Sequence, residues 1–191
     1  MSALELKTAP VDEPISRSEA KTHLRVDISG DDTLIDNLIL AARQFTETYL
    51  QRCLITQTWY QYWDWGFPAV LTLEKNPVQS VTAITYVDGN AATQTVDSSL
   101  YTVDTNQKAC LIYPAYQTIW PVPRVYHNAV KVEFIAGYGD AATDVPEPIR
   151  NAMLLLIGHL YENREMTAPI NIAEVPFTYK TLLAPYRLVR W

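Results

Sequence analysis

The strongest periodicity in the chain runs through DDTLIDNLILAARQFTETYL. Leu34, Leu38, Ala41, Ala42, Phe45 and Tyr49 recur at spacings of three and four, the repeat of one helical face. The spacing predicts a helix of about five turns ending near Cys53, with Asp36, Arg43, Gln44, Glu47 and Gln51 on its other faces. Ahead of it, ISRSEAKTHLRV places Ser16 three residues before Glu19, a capping-box spacing that predicts a short helix from Arg17 to about Arg25. Gly30 breaks the connection, and Asp31 and Asp32 put negative charge where a helix N-terminus favours it.

From Gln57 to Ala136 the period changes. TQTWYQYWDW, AVLTLEK, SVTAITYVDG, LYTVD, ACLIYP and AVKVEFIAG are rich in β-branched and aromatic residues and are separated by turn signals such as Asn76-Pro77. They predict about six strands in an antiparallel sheet or small sandwich, and Asp88-Gly89 between apolar runs predicts a hairpin. Alternation puts Trp59, Gln61, Trp63 and Trp65 on one strand face and Tyr60, Tyr62 and Asp64 on the other. Pro114, Pro121 and Pro123 mark residues 114–128 as a loop or edge excursion.

The helical period then returns. Asp144, three residues before Glu147, predicts a second capping box, with Pro146 tolerated in the first turn. Ile149, Ala152, Met153, Leu156, Ile157 and Leu160 form the expected buried stripe, widened by Leu154 and Leu155. Residues 166–176, with Pro169 and Pro176, predict a loop; Phe177 to Ala184 predict one short helix stopped by Pro185. The expected class is α+β: a helical bundle of about four helices with an inserted antiparallel β module and extended N- and C-terminal segments. The expected division is an arm over 1–14, helical core over 15–55, β module over 56–137, helical core again over 138–184, and a tail over 185–191.

Composition narrows the function. Apolar residues make up 48% of the 191, enough for a real core, and charged residues 19%. A net charge of −6 argues against a grip on nucleic-acid phosphates, which needs clustered Lys and Arg. Cys53 and Cys110, without a CxxC or a neighbouring His, are expected to be buried thiols rather than a disulfide or zinc site. The opening residues lack a signal-peptide pattern, and the longest apolar run, Ala152 to Gly158, is far short of a membrane span; a soluble protein made in the cytosol is expected.

Candidate chemistry is sparse. His159, Glu162 and Glu165 recur at intervals of three but do not form HExxH, and neither His23 nor His127 joins a nucleophile or metal constellation. GxSxG, P-loop and GxGxxG motifs are missing. No catalytic residue, metal or cofactor is expected, so the chain reads as a structural protein rather than an enzyme. The aromatic strand leaves a rival open: a row of Trp59, Trp63 and Trp65 could bind glycans or stack on single-stranded nucleic acid. Its alternative is a face buried in the chain's own core or under another subunit. The closing TLLAPYRLVRW carries aromatics and arginines, the types most enriched at binding hot spots. It either anchors on a partner or folds back over its own core.

Four segments carry a family resemblance: ISRSEAKTHLRVD, DDTLIDNLILAARQFTETYL, AGYGDAATDVPEPIRNAMLLLIGHLYENRE and VPFTYKTLLAPYRLVRW. Across about residues 15 to 191 the chain resembles the head–tail connector (adaptor, head-completion) proteins of long-tailed bacteriophages. Its most specific parts are GYGDAATDVPEPIR, HLYENRE and LLAPYR. The resemblance implies a homo-oligomeric ring of about twelve copies beneath the portal. That ring would extend the DNA channel and join the capsid to the next neck or tail-completion protein. DNA would pass without specific binding, no membrane would be involved, and the place of action would be the virion neck. It further implies that Leu182, Leu183, Pro185, Tyr186, Arg187, Leu188, Val189, Arg190 and Trp191 dock on the portal. Tail residues would fill grooves between portal subunits while Arg187 and Arg190 pair with carboxylates. Subunit contacts would fall on Leu38, Phe45, Tyr49, Leu155 and Tyr161 of the long helices and on Trp59 and Trp63 of the aromatic strand. A neighbouring neck component, such as a stopper, would differ only in position.

Overall fold

The computed structural model describes residues 2–107, 109–163 and 177–188. The chain divides into two compact units, Met1–Pro10 with Thr56–Tyr138, and Val11–Ile55 with Gly139–Trp191.

The first unit is β-rich. Strands β1 (Ser2–Thr8), β2 (Gln57–Trp63), β4 (Val78–Val87), β5 (Thr93–Thr95) and β8 (Val130–Ala136) form a five-stranded antiparallel sheet in the order β1-β2-β8-β4-β5. A second sheet of three strands has the order β3-β7-β6, from β3 (Leu71–Thr72), β6 (Tyr101–Asp104) and β7 (Leu111–Pro114). All six strands expected from the sequence are present. The additions are β5, closing the Asp88-Gly89 hairpin, and β1, which draws part of the N-terminal arm onto the edge of the sheet. The register places Trp59 opposite Phe134, Gln61 opposite Val132 and Trp63 opposite Val130. Val81, Ile84 and Tyr86 of β4 face the same three β8 residues from the other side. Val130, Val132, Phe134 and Ala136 are all fully buried, so this face is the core side. Gln61, also fully buried, satisfies its side-chain amide on the neighbouring segment: it donates to the Thr72 carbonyl (3.0 Å) and accepts from the Glu74 N–H (2.9 Å).

The expected aromatic row is shorter than alternation suggests. Trp65 lies beyond the strand with φ of 67° and is 57% exposed, its ring packed on His127 instead. The turn is fixed by the Asp64 carboxylate, which accepts the Asn128 N–H at 3.0 Å and is held below the usual carboxylate range mainly by that bond.

The second unit is helical: α1 (Arg17–Leu24), α2 (Asp32–Leu50), α3 (Glu147–Glu162) and α4 (Phe177–Leu183), the last continued by a 3₁₀ turn over Ala184–Tyr186. Helix α2 packs on α1 and α3, and α3 on α1 and α4. The Ser16–Glu19 capping box forms as expected; Glu19 is pulled down in pKa chiefly by its bonds from Ser16.

Two expectations are corrected. The buried face of α2 is Ile35, Ile39, Ala42, Thr46 and Leu50; of the expected stripe of Leu34, Leu38, Ala41, Ala42, Phe45 and Tyr49 only Ala42 is on it, and the others lie one position before it. Arg43 and Glu47, expected on other faces, are buried with it. Both arcs are apolar, so periodicity alone could not choose between them. Asp144 does not cap α3: its carboxylate accepts the Ala141 N–H (2.9 Å) within a preceding 3₁₀ turn, Ala142–Asp144, and Pro146 takes the N-cap without a side-chain bond. The loop expected over 166–176 lies outside the described residues, as do Val189, Arg190, Trp191 and Glu165.

Candidate functional site

The polar frame of the helical unit holds its C-terminal segment in place. The last carbonyls of a helix lack intrahelical partners. In α2 the Leu50 carbonyl accepts the Leu188 N–H at 3.0 Å, and Arg52 Nε donates to the Tyr186 carbonyl at 2.7 Å. The Arg187 guanidinium stands 4.9 Å from the Tyr49 ring centroid. Two cations therefore gather at the negative end of the α2 dipole. Leu183 is fully buried and Leu188 nearly so, whereas Pro185 and Arg187 are exposed and Leu182 and Tyr186 half-buried.

Beneath this segment lies an aromatic cluster. Tyr179 is buried with its ring 5.9 Å from Phe45 and 6.0 Å from Tyr49, and its hydroxyl shares a 3.0 Å hydrogen bond with Thr46. Burial pushes the Tyr179 phenol up to about 12. Further along, Arg43 bridges Glu13 (2.7 Å) and Glu47 (3.1 Å), and Glu47 Oε1 accepts the buried Leu54 N–H at 2.9 Å. Arg150 joins the Pro14 carbonyl, Glu147 and Glu19. Both arginine networks escaped sequence reasoning, because their partners are distant in the chain or stand at spacings that also suit solvated pairs.

The other side of α2 is less covered. Phe45 is 46% exposed and Leu40 40%, while Leu38 and Tyr49 are half-buried, as are Leu155 and Tyr161 of α3. Tyr161 donates its hydroxyl to Asp31 at 2.5 Å. Next to this arc a groove of about 640 Å³ is floored by Ile15, Ile39 and Leu40 and edged by Asp12, Glu13 and Asp36.

In the β unit, Trp59 and Trp63 lie half-buried on the core face, and Lys75 sits 4.8 Å over the Trp59 ring. These rings do not form an open platform. The carboxylates near the turns are committed locally: Asp88 accepts from Asn90, Ala92 and Gln94, and Asp97 from Ser99. Among the described residues no group of three or more His, Cys, Asp or Glu side chains could hold a metal ion, and no helix is long and apolar enough to cross a membrane. Cys53 and Cys110 are buried, and neither is in a disulfide.

The chain is similar over 99% of its length to a protein in the neck of an empty gene transfer agent (GTA) particle determined with C6 symmetry, with a TM-score of 0.81, 23% identity and 97% of that chain covered. Against a protein of the native GTA virion the values are 0.81, 25%, and 98% and 96% coverage. Against one in the neck of the native particle with C12 symmetry they are 0.80, 24%, and 99% and 97%. No curated protein matches by sequence. The phage gp6-like head-tail connector protein model matches residues 15–113, just over half of the chain. The chain belongs to that family, whose place is the virion neck between head and tail.

Proposed function

We propose that this protein is a non-catalytic adaptor that assembles as a homo-oligomeric ring of about twelve copies, joins the portal to the next neck or tail-completion protein, and extends the DNA channel. The observation that carries the reading is the near full-length likeness to neck proteins in particles with C12 and C6 symmetry, together with the family match. The net charge of −6 suits a channel that lets DNA slide without holding it.

Portal docking is assigned to the C-terminal segment. Exposed Pro185 and Arg187 make the contact together with Val189, Arg190 and Trp191, with Leu182 and Tyr186 at its margin, while the Leu188 N–H ties the segment to the end of α2 and Leu183 is buried. Many copies engaging one ring bind by avidity, so each contact can be weak.

Co-sedimentation with the portal ring of the same phage tests this, comparing the full chain with one ending at Leu188 and one ending at Leu182. The chain ending at Leu188 keeps the α2 contacts and is expected to unfold within about 0.5 kcal/mol of the full chain while losing portal binding. The chain ending at Leu182 also loses buried Leu183 and Leu188, a cost of about 3–6 kcal/mol. If the chain ending at Leu188 binds the portal as well as the full chain, residues 189–191 are not the anchor. If the full chain does not bind, the adaptor reading fails.

A further inference from the structure

The proline-rich excursion over 114–128 is the most exposed apolar surface among the described residues. Tyr116 is 90% exposed, Val122 86%, Ile119 85%, Val125 73% and Tyr126 59%. The loop is nonetheless pinned. Trp120 stacks on Phe67 at 4.8 Å between centroids, the Arg124 N–H donates to the Val87 carbonyl (2.8 Å), and the Trp65 N–H donates to the Tyr126 carbonyl (2.9 Å). A loose loop exposes side chains by default; a fixed one that turns five large apolar side chains outward presents a surface. Two tyrosines and three aliphatic side chains held open within eleven residues make the kind of exposed apolar surface that marks an interaction site.

We propose that this loop docks in the α2 groove of a neighbouring copy of the same chain. This rests on the ring reading above and names its contact. Two observations select a second copy as the occupant. The first is charge: residues 114–128 contain no carboxylate and carry exposed Arg124, whereas the groove is lined by three carboxylates, Asp12, Glu13 and Asp36, against one cation, Arg17; Arg17 pairs with Asp36 and Arg43 with Glu13, so Asp12 supplies the acidic edge beside apolar Ile15, Ile39 and Leu40. The second is that one chain carries both a projecting and a receiving apolar patch. Such unlike partners are what a heterologous, head-to-tail interface requires, and repetition of that interface closes a ring. The groove volume of about 640 Å³ has room for several aliphatic side chains, so Ile119 and Val122 serve as its knobs and Arg124 meets the acidic edge.

Sedimentation velocity across a concentration series tests the contact with wild type, the loop variant Ile119→Asp/Val122→Asp, and the groove variant Leu40→Asp. Thermal melts serve as folding controls, since the loop positions are open to solvent. Wild type is expected to associate, and each variant to associate at least about thirtyfold more weakly, the factor that loss of one hot spot brings. Mixed together, the two variants are expected to form a dimer and stop there: one retains an intact groove and the other an intact loop. Association of the loop variant at wild-type strength overturns the inference and leaves the ring intact. A wild-type chain that stays monomeric to its solubility limit overturns the inference as well.

Discussion

Replacing Glu47 by alanine removes two bonds that the end of α2 depends on. Glu47 Oε1 accepts the Leu54 N–H at 2.9 Å and Oε2 accepts from Arg43 at 3.1 Å. Leu54 is fully buried, so its amide would be left without that acceptor, a penalty of about 1–3 kcal/mol. Arg43 is 7% exposed and would keep only Glu13 of its two carboxylates. Breaking a buried pair outright costs about 3–5 kcal/mol, and retention of Glu13 lowers that share to about 1–2 kcal/mol. The sum is about 2–5 kcal/mol. Glu47→Gln keeps an oxygen for Leu54 and gives up only the charge, so about 1–2 kcal/mol is expected. Urea denaturation followed by circular dichroism measures both, with the midpoint moving and the slope unchanged. Equal losses for the two variants, or a loss below about 1 kcal/mol for Glu47→Ala, would refute the assignment of the Leu54 amide to Glu47.

Two further outcomes follow from local geometry. A Cβ on Gly139 would lie 2.1 Å from Asp144 Oδ2 and 2.6 Å from its Cβ, so Gly139→Ala must displace the turn before α3; a loss of about 1–3 kcal/mol is expected in thermal melts. The Tyr179 phenol has a folded pKa raised to about 12 against an ordinary value of 10.0, so its protonated form is the one the fold favours. Its stability contribution is complete below pH 10 and is lost as pH rises from 10 through 12, up to about 3 kcal/mol. Tyr179→Phe, measured alongside wild type over that window, is expected to lack this alkaline component; identical pH slopes would contradict it.

The strands were legible because alternation survives any tertiary environment in which one sheet face is buried. β8 shows this directly: Val130, Val132, Phe134 and Ala136 are buried and the residues between them half-covered. β5 went unseen because Thr93–Thr95 is short and wholly exposed, and it pairs only through the hairpin. The GYGDAATDVPEPIR segment stood out only through the family resemblance, and its mechanism was not legible. Gly137 has φ of 143°, and Gly139 passes too close to Asp144 for a side chain; neither fact is visible without coordinates. Of the candidate contact residues, the structure brings Phe45 and Tyr49 together around Tyr179 and sets the described tail residues against α2.

By itself the sequence determined the order and kind of the four helices and of six of the eight strands, the Ser16 cap, the Asp88 turn and the acidic balance. Each depends on neighbours within a few residues, or on counting alone. Tertiary structure decided which arc of α2 is core. Leu34, Leu38, Phe45 and Tyr49 repeat as regularly as Ile35, Ile39, Thr46 and Leu50, and only packing on α1 and α3 selects the second set. It also decided the fate of Arg43 and Glu47, whose charges are tolerable in the interior only because Glu13 and the Leu54 amide, far off in sequence or beyond the helix end, arrive to satisfy them.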